Sequence, residues 1–422
     1  MHQPESLVFT ALLQLVVVIA AARAGNQLFR RLGQPGVVGE IIAGLMLGPS
    51  LFGYFYPNIS HALFAEATVP AMTVISQVGV VLLMFQIGAD CDLGHLRRRR
   101  NRTGIVAISV VSTAVSWVMG FAIGRLSASV LAPHADPLVY SLFCGVVLTI
   151  VAVPVLGRIL SEFDLTHTEV GVVAMSVAAI NDVTGWVLLA AIAAYASAGY
   201  SPGTAAMQIA GILLLGIVAR FALRPLVSWL SGKIPTARGE IPAGVLTAIV
   251  CFIFMMGMCT YLLGVFTIFG AFIAGLLFYD NKAFVELWRV QVGKAVIVLF
   301  LPVFFAYTGL RTNILGLVSG SDWLWVSIVL SAAILGKVVP VYLAGRACGF
   351  ERGECAILGT LMNTRGLTEL IALNIGYDHG FLSQRAFTIF VIMAVVTTLM
   401  TGPLLGVLLP RGGYLVARRL EA

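Results

Sequence analysis

The sequence predicts an all-α polytopic membrane protein. About thirteen transmembrane helices form inverted repeats, with two broken helices crossing at the midplane. Three observations point there. The 422-residue chain is 59% hydrophobic and only 11% charged, with a mean hydropathy of +0.98, a balance foreign to soluble domains. An apolar motif on the second span returns on the ninth. A lone carboxylate, Asp182, sits inside the long apolar run from Gly171 to Tyr195.

Roughly 20 apolar residues cross a bilayer as a helix. On that rule spans begin near Leu7, Pro35, Val69, Gly104, Pro137, Glu169, Thr204, Ile241, Tyr261, Gln291, Asp322, Cys355 and Ala386. The eighth and ninth share one continuous apolar stretch. The N-terminus has no basic region ahead of the first apolar run, which reads as a retained span rather than a signal peptide. An odd count puts the chain ends on opposite sides. Basic residues concentrate in alternate loops: Arg30 and Arg31; Arg97 to Arg100 with Arg102; Arg158; Arg224, Lys233 and Arg238; Lys282 and Arg289; Arg346 and Arg352; and Arg411, Arg418 and Arg419. The positive-inside rule places this set in the cytoplasm, with the N-terminus outside and the C-terminus inside. The net charge of +7 therefore reflects topology and not a nucleic-acid surface.

The repeat pairs Gly39–Leu47 (GEIIAGLML) with Gly270–Phe278 (GAFIAGLLF), and 85–93 (FQIGADCDL) with 306–314 (AYTGLRTNI). The copies start seven spans apart, and an odd offset inverts them in the membrane. Such repeats mark many secondary transporters, with the substrate site near the midplane. Two spans are interrupted at corresponding places. The fifth carries Thr149 to Pro154, where proline removes a backbone donor. The twelfth carries Asn363, Thr364, Arg365 and Gly366 in its middle. Interrupted backbone frees carbonyls and N–H groups that a cavity, an ion or side chains must meet.

A carboxylate at membrane depth costs about 3 kcal/mol on insertion scales, so Asp182 reads as an ion or proton site. Five further ionisable groups lie within or at the edges of spans: Glu40, Arg158, Lys337, Arg365 and Glu369. Lys337 falls mid-span and can pair with Asp182. Arg365 and Glu369, four apart on one helix face, read as a structural ion pair bracing the broken helix. Arg158 reads as a membrane anchor. For Glu40 a domain-interface hydrogen bond and a proton-linked role stand level. All six histidines fall in the tail or loops, and no zinc, haem or nucleotide motif appears. No cofactor is expected. The six scattered cysteines read as reduced core residues.

These motifs converge. The chain resembles the second family of the monovalent cation:proton antiporter superfamily, in the branch of bacterial antiporters close to plant cation/proton exchangers. The matching stretches are 35–53, 148–165, 178–186, 267–278, 301–314 and 358–376, spanning almost the whole chain. The resemblance implies a secondary transporter of the cell membrane and not an enzyme. It exchanges Na⁺ or K⁺ for H⁺ as a homodimer, by an elevator movement of a core against a dimerisation part. The core corresponds to about 69–198 and 291–409, the dimerisation part to about 7–53 and 204–280, and no soluble regulatory domain is expected. The ion carboxylate falls on Asp182, its motif neighbour on Asn181, and the buried lysine on Lys337. Asn181, Thr149 and freed carbonyls complete the oxygen ligands for the transported cation. Many relatives in the wider superfamily carry two adjacent aspartates where this chain has Asn181-Asp182, which suggests electroneutral exchange, while release of a proton by the buried Lys337, as in related proteins, is the alternative that leaves the stoichiometry open. An organic-ion carrier, a ligand-gated K⁺ efflux system and a membrane-embedded enzyme remain as rival readings.

Overall fold

A computed structural model describes residues 3–90, 102–166, 168–197, 202–231 and 240–411. The basic cluster Arg97–Arg100, with Cys91, Lys233, Arg238, Arg418, Arg419, His2, His95 and His167, lies outside these residues. The described residues are helical, without strands. The principal helices are α1 (Gln3–Arg31), α2 (Gly36–Leu47), α3 (Val69–Asp90), α4 (Arg102–Leu131), α5 (Pro137–Thr149), α6 (Val153–Glu162), α7 (Glu169–Ser197) and α8 (Pro202–Val218). They continue with α9 (Ala243–Leu262), α10 (Thr267–Leu276), α11 (Lys282–Trp288), α12 (Leu301–Arg311), α13 (Gly320–Ala347), α14 (Arg352–Met362), α15 (Leu367–Asp378) and α16 (Gln384–Arg411). Among the described residues nine helices are long and apolar enough to cross a membrane. A tenth candidate is the bent pair Lys282–Gly293 and Val296–Arg311, turned by 42°.

Local chemistry sets the ends. Asp136 caps α5, its carboxylate accepting from the Leu138 and Val139 N–H groups at 2.9 Å, with Pro137 in the first turn. Ser319 and Asp322 form a capping box at the start of α13. The apolar stretch that merges the eighth and ninth spans is divided at Leu263–Phe266, where Gly264 takes φ +75°. The Thr260 hydroxyl donates to Gly257 O at 2.9 Å and Phe266 O at 3.1 Å, and it accepts from Gly270 N at 3.2 Å. The helix of the ninth span, α10, therefore starts at Thr267 rather than Tyr261. The next starts at Lys282, ahead of Gln291, because Asn281 caps it. Hydropathy alone does not see either cap.

Packing divides the chain into two compact units. One comprises Met1–Leu15, Phe64–Asp92 and Trp186–Phe304. Within it α3, α9 and α10 pack together. A Cβ on Gly270 would lie 2.0 Å from Met256 O on α9, and one on Gly275 would lie 2.1 Å from Phe85 O on α3. The other unit comprises Val16–Leu63, Leu93–Gly185 and Phe305–Ala422. Here a Cβ on Gly39 would lie 2.1 Å from Gly25 O on α1, and one on Gly44 would lie 2.4 Å from Phe305 O on α12. Only glycine admits such backbone contact. The same unit holds an apolar cluster drawn from α4, α6, α7, α13, α14 and α16, including Ile108, Leu156, Val173, Val341, Leu361 and Leu405. Every candidate site residue lies in this second unit.

Candidate ion site at two helix breaks

The first break begins where α5 ends at Thr149. Ile150 has φ −64° and ψ 139°, extended rather than helical, and α6 resumes at Val153. Pro154 stands in the first turn of α6, where its missing N–H has no intrahelical partner to lose. It opens a new helix instead of kinking an old one. The last carbonyls of α5 are left without helical donors. Three buried donors meet them: Arg365 Nη1 on Val147 O at 2.9 Å, Arg365 Nη2 on Leu148 O at 2.9 Å, and Lys337 Nζ on Thr149 O at 2.6 Å. Two cations thus sit at the negative end of a half-helix, where its dipole favours them. The Lys337 ammonium, a candidate partner of Asp182 from the sequence, donates to the Thr149 carbonyl. The Thr149 hydroxyl donates to Gly145 O at 2.8 Å, which turns its oxygen lone pairs outward as an acceptor.

The second break spans Asn363 to Gly366, between α14 and α15. Gly366 has φ +141°, a conformation L side chains rarely adopt. Arg365 N donates to Thr398 Oγ1 at 3.2 Å and the Thr398 hydroxyl donates back to Arg365 O at 2.7 Å, so α16 braces the irregular backbone. The two breaks touch: Ala152 N donates to Thr364 O at 3.2 Å. Arg365 and Glu369 form the expected ion pair at 3.1 Å, both essentially without solvent exposure. The same guanidinium therefore joins the two breaks.

Asp182 lies on α7, 2% exposed. One turn further on, a Cβ on Gly185 would lie 2.9 Å from Ile150 Cγ1, so this helix runs against the first break. Asn181, fully buried, turns toward α4: Thr113 Oγ1 donates to its Oδ1 at 2.9 Å, and its Nδ2 donates to Ser112 Oγ at 3.0 Å. Ser116, a turn along α4, donates to Gly336 O at 2.8 Å, next to Lys337. Asp182, Glu369, Lys337 and Arg365 carry formal charges that sum to zero.

A description of "Sodium/hydrogen exchanger, transmembrane" matches residues 15–411. The chain belongs to that family. The exchanger is 35% identical over 401 residues to the Na(+)/H(+) antiporter NhaS4 of Synechocystis sp., covering 93% of this chain and 95% of the relative. It is 28% identical to the Na(+)/H(+)-K(+) antiporter GerN of Bacillus cereus, over 94% and 96% of the two chains. Against Cation/H(+) antiporter 18 of Arabidopsis thaliana the identity is 33%, over 93% of this chain and 48% of that one. The fold is that of the sodium proton antiporter MjNhaP1 from Methanocaldococcus jannaschii, with TM-score 0.66, 13% identity, and 94% and 98% of the chains covered. These relatives are transporters and not enzymes, and the exchanger is a multi-pass membrane protein.

In this exchanger Glu40 stands apart from the breaks. It is buried in the contact of α1 with α2, where Asn26 Nδ2 donates to its carboxylate. The α4 hydroxyls were invisible as partners of Asn181. Their signal is the spacing of Ser109, Ser112, Thr113 and Ser116 on one face of an apolar helix. A second cluster also escaped notice. Arg311 on α12 reaches Asp378 Oδ1 at 2.5 Å and Asn374 Oδ1 at 3.2 Å, and its guanidinium lies 4.0 Å from the Tyr307 ring centre. It ties the far end of α15 to α12.

Proposed function

We propose that the exchanger moves Na⁺ or K⁺ against H⁺ by competition for Asp182. Deprotonated Asp182 binds the cation with the Thr149 hydroxyl and break carbonyls, all oxygen ligands suited to a hard ion. Protonation displaces it. The observation that carries this reading is the meeting of two broken helices beside the Asp182 helix. The freed carbonyls of the first break are held by Lys337 and Arg365. A carboxylate at membrane depth is costly unless it faces a partner or a water-filled cavity, and the break beside it supplies polar surroundings. Relatives named for Na⁺/H⁺, Na⁺/H⁺-K⁺ and cation/H⁺ antiport support the substrate class.

The finer picture follows the same reading. One carboxylate that binds either one cation or one proton gives electroneutral exchange. Thirteen spans are supported by helices that begin near most of the expected starts, and the basic loops argue for the N-terminus outside and the C-terminus in the cytoplasm. An inverted repeat is supported by its glycines. Gly39 and Gly270 each press on the preceding helix, while Gly44 and Gly275 each press on the third span of the opposite half. The working form is a homodimer in the cell membrane. The core part, 69–198 and 291–409, slides as an elevator against the dimerisation part, 7–53 and 204–280. In proteoliposomes holding a pH gradient, added Na⁺ or K⁺ should collapse the gradient, and Asp182→Asn should abolish this while eluting as a folded dimer. Retained exchange in that variant sinks the proposal.

A further inference from the structure

The two breaks are unequal. At the first, protein donors meet every freed carbonyl from Val147 to Thr149. At the second, five buried polar atoms meet no hydrogen-bond partner among the described residues: Asn363 Oδ1, Thr364 Oγ1, Thr368 Oγ1, Glu369 Oε2 and Arg365 Nε. Their side chains are 1% exposed or less. Each unmet group of this kind costs about 1–3 kcal/mol, so five within one short segment imply an occupant. The set contains an N–H donor, two hydroxyls that both give and accept, and two acceptors. A metal ion takes acceptors only, and it would stand as a third positive charge beside Arg365 and Lys337. Water satisfies both kinds of group, and a buried water typically makes about three hydrogen bonds.

We propose that the second break holds a water cluster on Asn363, Thr364, Thr368 and Glu369, and that Glu369 exchanges a proton with it. A hydronium ion in the cluster gives its proton to Glu369 Oε2, leaving a neutral water and a neutral carboxylic acid. Oε1 keeps its bond from Arg365 throughout. The site's formal charge rises from zero to +1, which weakens cation binding at Asp182. Glu369 is thus a proton site separate from the transported one, and its effect on the cation rests on the antiport reading above.

Arg365 and Lys337 are the charged neighbours of Glu369, and the helices packed on α15 carry further titratable groups. Arg365 pairs with it directly, and Lys337 on α13 shares the α5 end with that guanidinium. Of the helices packed on α15, α5 brings Tyr140 and Cys144, α6 brings Arg158, and α16 brings Arg385, which is tied to Asp322. Asp378, at the other end of α15, is tied to Arg311.

Infrared difference spectroscopy of the reconstituted full chain, titrated with acid, tests this without reference to transport. Of the protonated-carboxyl bands that appear in wild type, one should persist in Asp182→Asn and vanish in Glu369→Gln. Thr364→Val with Thr368→Val removes the water's hydroxyl anchors at unchanged charge. Its band should persist to higher pH by about one unit, the size of one hydrogen bond made to the ionised form. No such band in wild type, or an unchanged band in Glu369→Gln, overturns the proposal. If Glu369→Gln does not fold, an unmoved band in the threonine variant overturns it. Loss of the antiport reading would leave these bands intact.

Discussion

Lys337 and Arg365 both place a buried side chain on the α5 end, yet their removal should have unequal consequences for stability. Arg365→Met strips two bonds to carbonyls and one to Glu369. Each charge-assisted bond is worth about 1.5–3 kcal/mol. Breaking a buried pair by deleting one partner costs about 3–5 kcal/mol, because the remaining charge stays unpaired. Lys337→Met strips a single bond, to Thr149 O. It also abolishes the burial of an ammonium, whose desolvation penalty is several kcal/mol. The two contributions oppose each other at similar size, so the net change should lie within about 1–2 kcal/mol of zero. Melting of the detergent-solubilised protein, followed by size-exclusion fluorescence, reads both. Arg365→Met should melt well below wild type and Lys337→Met close to it, while both lose exchange. A Lys337→Met variant that unfolds as readily as Arg365→Met refutes the argument, since Lys337 would then be a brace and not a compensating charge.

Other substitutions follow from the same contacts. Pro154→Ala should melt within about 1 kcal/mol of wild type, because proline in the first turn of a helix sacrifices no bond; collapse of the fold would show that it does more than begin α6. Gly366→Ala should destabilise by about 1–3 kcal/mol, the size of a non-glycine residue forced into that backbone region, and thermal melting checks it. Ser112→Ala and Thr113→Val should each cost about 1 kcal/mol by leaving one end of the Asn181 amide unmet. Each should also lower the maximal exchange rate in proteoliposomes, and unchanged transport would argue that α4 does not set the orientation of α7.

What the sequence discloses here follows a physical pattern. Relations of short range along the chain were legible: both breaks, the Arg365–Glu369 pair four residues apart, and the burial of Asp182 in an apolar run. Hydropathy placed the start of nearly every helix, but it missed Thr267 and Lys282, where capping by Thr260 and Asn281 decides the boundary. Relations across the chain were not legible. Lys337 and Thr149 lie 188 residues apart, and nothing in the composition of either span says that the ammonium meets that carbonyl. Pro154 shows the same limit: mid-span proline predicts an interruption, and only the extended backbone at Ile150 tells a new helix from a kinked one. The hydroxyls of α4 look like any small-residue face of a membrane helix until the Asn181 amide is set against them.

That amide also supplies the sharpest test of stoichiometry. Asn181 accepts from Thr113 and donates to Ser112, so both its ends are engaged by α4. Asn181→Asp keeps the acceptor and loses the donor. The Ser112 hydroxyl, whose present bond to Ser109 O is long at 3.3 Å, can turn to donate to the new carboxylate. The fold should therefore survive. The formal charge of Asp182, Glu369, Lys337 and Arg365 is zero, and a second carboxylate beside Asp182 takes the site to −1. A site with one negative charge to spare takes up one more proton for each cation released, and the cycle then moves net charge. In vesicles clamped with a K⁺ diffusion potential, wild-type Na⁺ exchange should be indifferent to voltage and Asn181→Asp exchange should follow it. A wild-type rate that changes with the clamp would mean that a second group already carries a proton through the cycle, and the single-carboxylate mechanism would fall.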